Sequence, residues 1–460
     1  MRRQKEIDEI NRIQTEKEKE ELMIQQRRKQ EELEREQKRA NIITCKSFIK
    51  PPLIGLENIG ATCYMNATLQ CLSQTEVLTN YFLNEKNVNK IINNNIAKKN
   101  PNQPQLSPSY LNLINNLWKL QNKKTFAPTE FRKTLAIMND LFKEGLPNDA
   151  KDLVYFILIQ LHEELNLYDK NKNMNNMNNV NNVNNNMANQ FDEQLILQMF
   201  IKDFFKVNCS IMSDHFYGIT ETKILCSECQ RKNKNNNLLP IKFSFQTFNF
   251  LIFPLEEVRI FKNNKLNMNN MDMLNQMNMN QMNMMNQFNM NNQMGGFNNN
   301  FIFNNIFLQN NNVVNIYDCF DYNQKEEIFS GDNAMWCNEC KGLFQSKNQT
   351  IIYTGPNILI LILNRGRGIQ YKIKLEYYET INLDNYILKK DKPSMIYDLY
   401  GVVTHLGESG DSGHFVASCK SPCDNKWYRY NDSIVHQIFN IKSEIIDLGN
   451  SYILFYQKRQ

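Results

Sequence analysis

The sequence has no long apolar run, and this excludes a membrane-spanning helix of the usual ~20 residues. It lacks surplus charge as well. Its 53 basic and 48 acidic residues leave a net +5, without the basic stripe of a nucleic-acid binder. The opening residues, MRRQKEIDEI, lack the apolar core of a secretory signal, so the expected compartment is the cytosol or nucleus. An even cysteine count is missing too. Eleven cysteines cannot all pair within one chain, and in a reducing compartment they read as thiols, metal ligands or nucleophiles.

What is present is ample: 460 residues, 42% hydrophobic, enough for one large domain or two to three smaller ones. Residues 1 to about 40 are nearly all Lys, Arg, Glu and Gln, with neither Pro nor Gly. They predict a charged helical extension over 1–44, solvated along its length or offering a face to a partner. Two Asn/Met-rich tracts, about 171–190 and 262–315, are too polar to offset their ordering entropy. They read as disordered insertions in a folded region spanning 45–460.

Within that region helical spacing comes early. Met65, Leu69 and Leu72 recur after Cys63, and Leu153, Ile157, Leu161 and Leu165 form an i+4 ridge that Asn148 or Asp149 would cap. The second half reads as strands: the continuous apolar run NILILILN, then DLYGVVTH, HFVASC, KWYRYND and SYILFYQ between turn residues. Helices early and strands late predict an α+β architecture.

One cysteine stands apart. Cys63 lies in GLENIGATCYMNATLQ, a small-residue turn before an apolar-periodic run. At a helix N-terminus its sulfur would meet unpaired backbone N–H groups that favour thiolate and stabilise an oxyanion, and Asn58 offers a further donor. A thiol nucleophile needs a base. Among five histidines, His414 enters a strand from the glycine-punctuated turn ESGDSGHFVAS. Asn431 or Asp432, in WYRYNDSIV, would orient its ring. His162, His215, His405 and His436 read as structural or surface residues.

These stretches together resemble the ubiquitin-specific proteases, a family of papain-like cysteine peptidases. GLENIGATCYMNATLQCL resembles the family's cysteine box, and YGVVTHLGESGDSGHFVAS followed by WYRYNDSIV its histidine box. PNDAKDLVYFILIQLHEEL looks like its Gln-Asp-Ala-x-Glu helix, and SDHFYGITETKILCSECQ and GDNAMWCNECKGLFQSKNQTIIYTGPNILILILNR like its finger strands, all in family order. The resemblance implies a helical thumb, a β-rich palm and β fingers with a structural zinc site. It implies Cys63 as nucleophile, His414 as base, Asn431 (or its neighbour Asp432) as orienter, and Asn58 in the oxyanion hole. Asp149 and Asp152 would meet the arginine-bearing tail of ubiquitin. The pattern departs at Asn148 and Asp152, each one methylene short, at Gly366 after the long strand, and at Phe415, where tyrosine is commoner.

Cys226 with Cys229 and Cys337 with Cys340 form a CxxC…CxxC set. Four thiolates suit structural zinc, against free thiols or a redox pair, and no organic cofactor is implied. Cys419 and Cys423 have no matching partners by spacing. The activity implied is thiol-dependent release of ubiquitin from ubiquitinated proteins, with ubiquitin as partner and neither nucleic acid nor membrane. The rivals are a catalytically weak ubiquitin-binding scaffold and a protease for another ubiquitin-like modifier or for unmodified peptides.

Overall fold

The computed structural model of the chain describes residues 44–48, 50–92, 104–120, 123–143, 145, 147–168, 193–232, 241–268, 271, 312–389, 394–408, 410 and 412–459. The expected N-terminal helix and the 171–190 tract lie outside these residues. No helix among them is long and apolar enough to cross a membrane.

The helices are α1 (Cys63–Ser73), α2 (Glu76–Leu83), α3 (Glu85–Ile92), α4 (Leu106–Ile114), α5 (Thr129–Met138), α6 (Ala150–Leu165), α7 (Glu193–Val207), α8 (Ile211–His215), α9 (Ser227–Lys232), α10 (255–268) and α11 (Ile316–Asn323). The strands are β1 (Gly55–Leu56), β2 (Thr125–Phe126), β3 (Gly218–Cys226), β4 (Ile241–Phe248), β5 (Leu251–Pro254), β6 (Val313–Asn315), β7 (Glu326–Phe329), β8 (Met335–Cys337), β9 (Gly342–Phe344), β10 (Ser346–Thr354), β11 (Ile358–Asn364), β12 (Lys374–Glu376), β13 (Thr380–Asn382), β14 (Ile396–Leu406), β15 (His414–Lys420), β16 (Trp427–Asn431), β17 (Ile434–Ile438) and β18 (Ser451–Lys458).

The fold is α+β. An eight-stranded sheet runs β17-β16-β15-β14-β18-β11-β5, with β13 on β14. A four-stranded sheet, β4-β3-β10-β7, carries the small β8–β9 hairpin beyond it. The run NILILILN explains how the large sheet is covered. Ile358, Ile360 and Ile362 join the core shared with α1, α4 and α6, while Leu359, Leu361 and Leu363 join the core under α10 and α11. A strand buried on both faces shows no polar alternation.

Helix α1 is buried along nearly its whole length. Its polar side chains are satisfied inside: the Gln70 amide donates to the Ile54 carbonyl at 2.9 Å and Thr68 to the Tyr64 carbonyl at 2.8 Å. Helix α6 buries the ridge Leu153, Ile157, Leu161 and Leu165, and Asp149 is its N-cap, accepting from the Lys151 N–H at 2.9 Å. Near its other end, buried Glu164 accepts the N–H groups of Leu106 and Ser107 at 2.8 and 2.6 Å, capping α4 from outside. The buried sulfurs of Cys71 on α1 and Cys419 on β15 touch at 3.5 Å, a packing contact invisible in their spacing.

The second Asn/Met-rich tract is narrower than 262–315. Residues 262–268 continue α10, and 313–315 form β6, parallel to β12. Ion pairing ties these ends down: Lys262 meets Asp318 at 3.0 Å and the Val313 carbonyl at 3.1 Å, and Lys265 meets Asp321 at 3.0 Å. Composition alone missed these partners, about fifty residues apart in sequence.

Candidate active site

Cys63 is the first residue of α1 and half-buried. The chain reaches it through β1, which lies against the two-residue turn joining β16 to β17. The Leu56 N–H donates to the Asp432 carbonyl at 2.9 Å. Gly55 allows this approach, since a Cβ there would fall 2.3 Å from the Ser433 carbonyl oxygen. In this way residues far apart in sequence share one groove of about 740 Å³, lined by Asn58, Cys63, Asp149, Asp152 and His414 among others.

His414 opens β15, and its Nε2 lies 2.7 Å from Asn431 Oδ1, but 3.8 Å from Asp432 Oδ2. An amide oxygen only accepts, so Nε2 carries the proton and the lone pair stays on Nδ1. Asp432 is occupied elsewhere. Its carboxylate accepts the Asn58 amide at 3.0 Å and the Asn66 amide at 2.8 Å. It holds this position with φ 48°, in the left-handed region that Asp tolerates at a tight hairpin turn. The Asn58 oxygen accepts the N–H groups of Gly60 and Thr62 at 3.2 and 3.1 Å, which orients its amide nitrogen. Asp432 takes one of that nitrogen's two N–H groups, leaving the second.

The electrostatics of Cys63 differ from the expectation of a readily formed thiolate. Burial is the largest influence and raises its pKa, the Asp432 charge adds to this, and the N–H groups of Phe415, Tyr64 and Cys63 pull the other way without prevailing. The amide cradle expected at the helix start is present, but desolvation outweighs it in this state.

At the far end of the fingers, Cys226, Cys229, Cys337 and Cys340 bring their sulfurs within 4.8 Å of one another, three of them buried. Cys229 lies 3.5 Å from Cys337 and 3.4 Å from Cys340. Burial and the neighbouring sulfurs push the Cys229 thiol up. Burial also opposes the Cys337 thiolate, but the N–H groups of Cys340 and Glu339 and hydrogen bonds from the other thiols bring it down to about 7. Thiols so crowded cannot all ionise without a cation, and four sulfurs with no other donor fit a tetrahedral metal site.

A family model described as ubiquitin carboxyl-terminal hydrolase matches residues 54–456. The chain belongs to that family. It is similar to ubiquitin carboxyl-terminal hydrolase Usp2 of Drosophila melanogaster, 21% identical over 88% of this chain and 35% of that protein. It is similar to ubiquitin carboxyl-terminal hydrolase 2 of Homo sapiens, 23% identical over 88% of this chain and 55% of that protein. The chain thus spans between a third and a little over half of these relatives' lengths. Among solved structures, the SAGA DUB module bound to ubiquitin aldehyde shares the fold, with a TM-score of 0.52 and 20% identity over 90% of this chain and 70% of that one.

For this member of the family, Asn58, Cys63, Asp149, Asp152 and His414 line one groove, with Asn431 bonded to His414 and Asp432 to Asn58. Cys226, Cys229, Cys337 and Cys340 form a separate cluster. Sequence reasoning missed several groove residues. His405, taken as structural, lines the groove, hydrogen-bonded to the Tyr371 hydroxyl, with its ring tilted against Phe415 at 4.5 Å between centroids. A Cβ at Gly413 would lie 2.5 Å from His405 Nε2, so the turn carrying His414 wraps this ring. Burial lowers the His405 pKa. The available signal was its position, on the strand leading into the glycine-rich turn. By contrast His162 is bonded to Ser210 at 2.7 Å, His215 to Asn357 at 3.1 Å, and His436 is exposed. Arg365 is buried with its Nε on the Ser451 carbonyl at 2.7 Å and Nη1 on the Ile373 carbonyl at 2.6 Å, and burial lowers it to about 10.

Proposed function

We propose that this chain is a thiol-dependent deubiquitinase, hydrolysing the isopeptide or peptide bond at the C-terminal glycine of ubiquitin. The reading rests on one observation above all: His414, fixed by Asn431 at 2.7 Å, shares a groove with Cys63, and the Phe415 N–H next to it points at the sulfur. Because Cys63 is raised rather than lowered, the thiolate forms by proton transfer to His414 as the substrate carbonyl arrives. The sulfur attacks that carbonyl, and backbone N–H groups at the start of α1 with the free N–H of Asn58 take the oxyanion. The imidazolium returns its proton to the leaving amine as the C–N bond breaks. Water, deprotonated by His414, then cleaves the thioester, releasing ubiquitin and the thiol. Asn431 keeps the useful tautomer throughout, and Asp432 holds Asn58 in place.

Cys226, Cys229, Cys337 and Cys340 would hold zinc as a closed tetrathiolate, which supplies folding free energy and takes no part in the chemistry. Asp149 and Asp152 line the approach for a cationic tail. The catalytic domain spans 45–460, and the free cysteines fit the cytosol or nucleus.

The test is hydrolysis of a fluorogenic ubiquitin C-terminal reporter by wild type and Cys63→Ala, beside a ubiquitin-like reporter and a bare peptide. Cleavage of the ubiquitin reporter by wild type alone supports the reading. Equal cleavage by both proteins contradicts it, binding without cleavage indicates a scaffold, and preference for another substrate reassigns the specificity.

A further inference from the structure

The acid pair at the rim of the groove carries its own cation. Asp149 Oδ1 accepts the Lys151 N–H at 2.9 Å. Asp149 Oδ2 accepts the Tyr452 hydroxyl at 2.6 Å and meets the Lys151 ammonium at 2.8 Å. The carboxylate that faces the groove therefore already takes two hydrogen bonds and an ion pair from within the chain. The ion pair is not locked away: the Lys151 and Asp149 side chains are 36% and 27% exposed. A third charge completes the set. Asp152 lies on the same rim, raised first by burial and then by Asp149, with Lys151 opposing.

We propose that Lys151 is a specificity-determining residue that competes with a cationic substrate tail for Asp149. The inference rests on the deubiquitinase reading and adds to it a residue that weakens substrate engagement. An arginine arriving beside Asp149 must displace the ammonium or share the carboxylate with it, and two cations on one carboxylate repel. Removing Lys151 frees the acceptor without disturbing the helix start, because the capping bond to Asp149 comes from the backbone N–H of residue 151.

The experiment is steady-state kinetics of the full chain at low ionic strength. One ubiquitin reporter keeps its tail arginines, and a second has them replaced by leucine. Lys151→Ala is expected to lower KM for the arginine reporter about two- to fivefold, the range of an exposed ion pair, with kcat unchanged. Lys151→Gln should do the same, Lys151→Arg should match wild type, and the gain should shrink in high salt. The leucine reporter should show no gain. An unchanged or raised KM in both neutral variants, or an equal fall with both reporters, overturns the proposal while leaving the deubiquitinase reading intact. A wild type that cleaves neither reporter overturns both.

Discussion

Cys63 and the four fingertip cysteines carry the same functional group in opposite surroundings. Among the described residues lining its groove, Cys63 is the single cysteine, half-buried beside an imidazole and with backbone N–H groups on its sulfur. Cys226, Cys229, Cys337 and Cys340 crowd together within 4.8 Å, beside a small two-stranded sheet. A thiol becomes a nucleophile where it can hand its proton to a base and a carbonyl can reach it. It becomes a ligand where other thiols crowd it and nothing else can enter. Local geometry, rather than the side chain, divides the two chemistries.

The sharpest way to break this division is to remove one sulfur from each side. Cys63→Ala should lower kcat/KM for a ubiquitin reporter by about 10⁵-fold or more, with an unchanged melting temperature. Activity surviving in that variant would erase the distinction. On the other side, one zinc per chain is expected by elemental analysis of the purified protein. Cys337→Ser should lose that metal and lower the melting temperature by about 5 °C or more, moving KM more than kcat. A metal-free wild type of full stability would remove the ligand half of the comparison.

A smaller effect probes the base. Asn431→Ala should reduce kcat about 10²-fold while leaving KM near its wild-type value, because the side chain acts through the tautomer and aim of His414. A change confined to KM would place Asn431 in substrate contact instead. Smaller still is the electrostatic prediction. The Asp432 charge adds to burial in raising Cys63, so Asp432→Asn should shift alkylation of Cys63 by iodoacetamide to lower pH. The sign follows because the thiolate reacts, and a lower pKa moves the rising limb of the profile down the pH axis. No shift would mean that Asp432 acts only through its bonds to Asn58 and Asn66.

Much of this arrangement was legible in residue order. The ridge on α6 follows from its i+4 apolar spacing, the helix after Cys63 from the same spacing, and the late strands from short apolar runs between turn residues, although α1 and β11 are buried on more than one face. The CxxC pairs were legible as a candidate metal site because tetrahedral ligation favours that spacing. What sequence could not tell is which of two adjacent side chains reaches His414. Asn431 ends β16 and Asp432 begins the turn, and the direction each points depends on the hairpin's φ of 48° at Asp432. Nor could it tell that His405 lies in the groove, since a histidine two residues before a turn reads alike whether its ring faces solvent or His414's loop. The ends of the second Asn/Met-rich tract escaped for a related reason. Asn315 caps α11 through the Tyr317 N–H at 3.0 Å, and composition does not register such contacts.

The most direct measurement uses an electrophile fused to the C-terminus of ubiquitin, incubated with the native full chain and mapped by mass spectrometry. The expected result is a single adduct on Cys63, absent in Cys63→Ala and slowed in His414→Ala, with Cys226, Cys229, Cys337 and Cys340 unmodified. An adduct on any fingertip cysteine in place of Cys63, or tight ubiquitin binding with no adduct at all, would contradict the division between a reactive thiol and a ligand set.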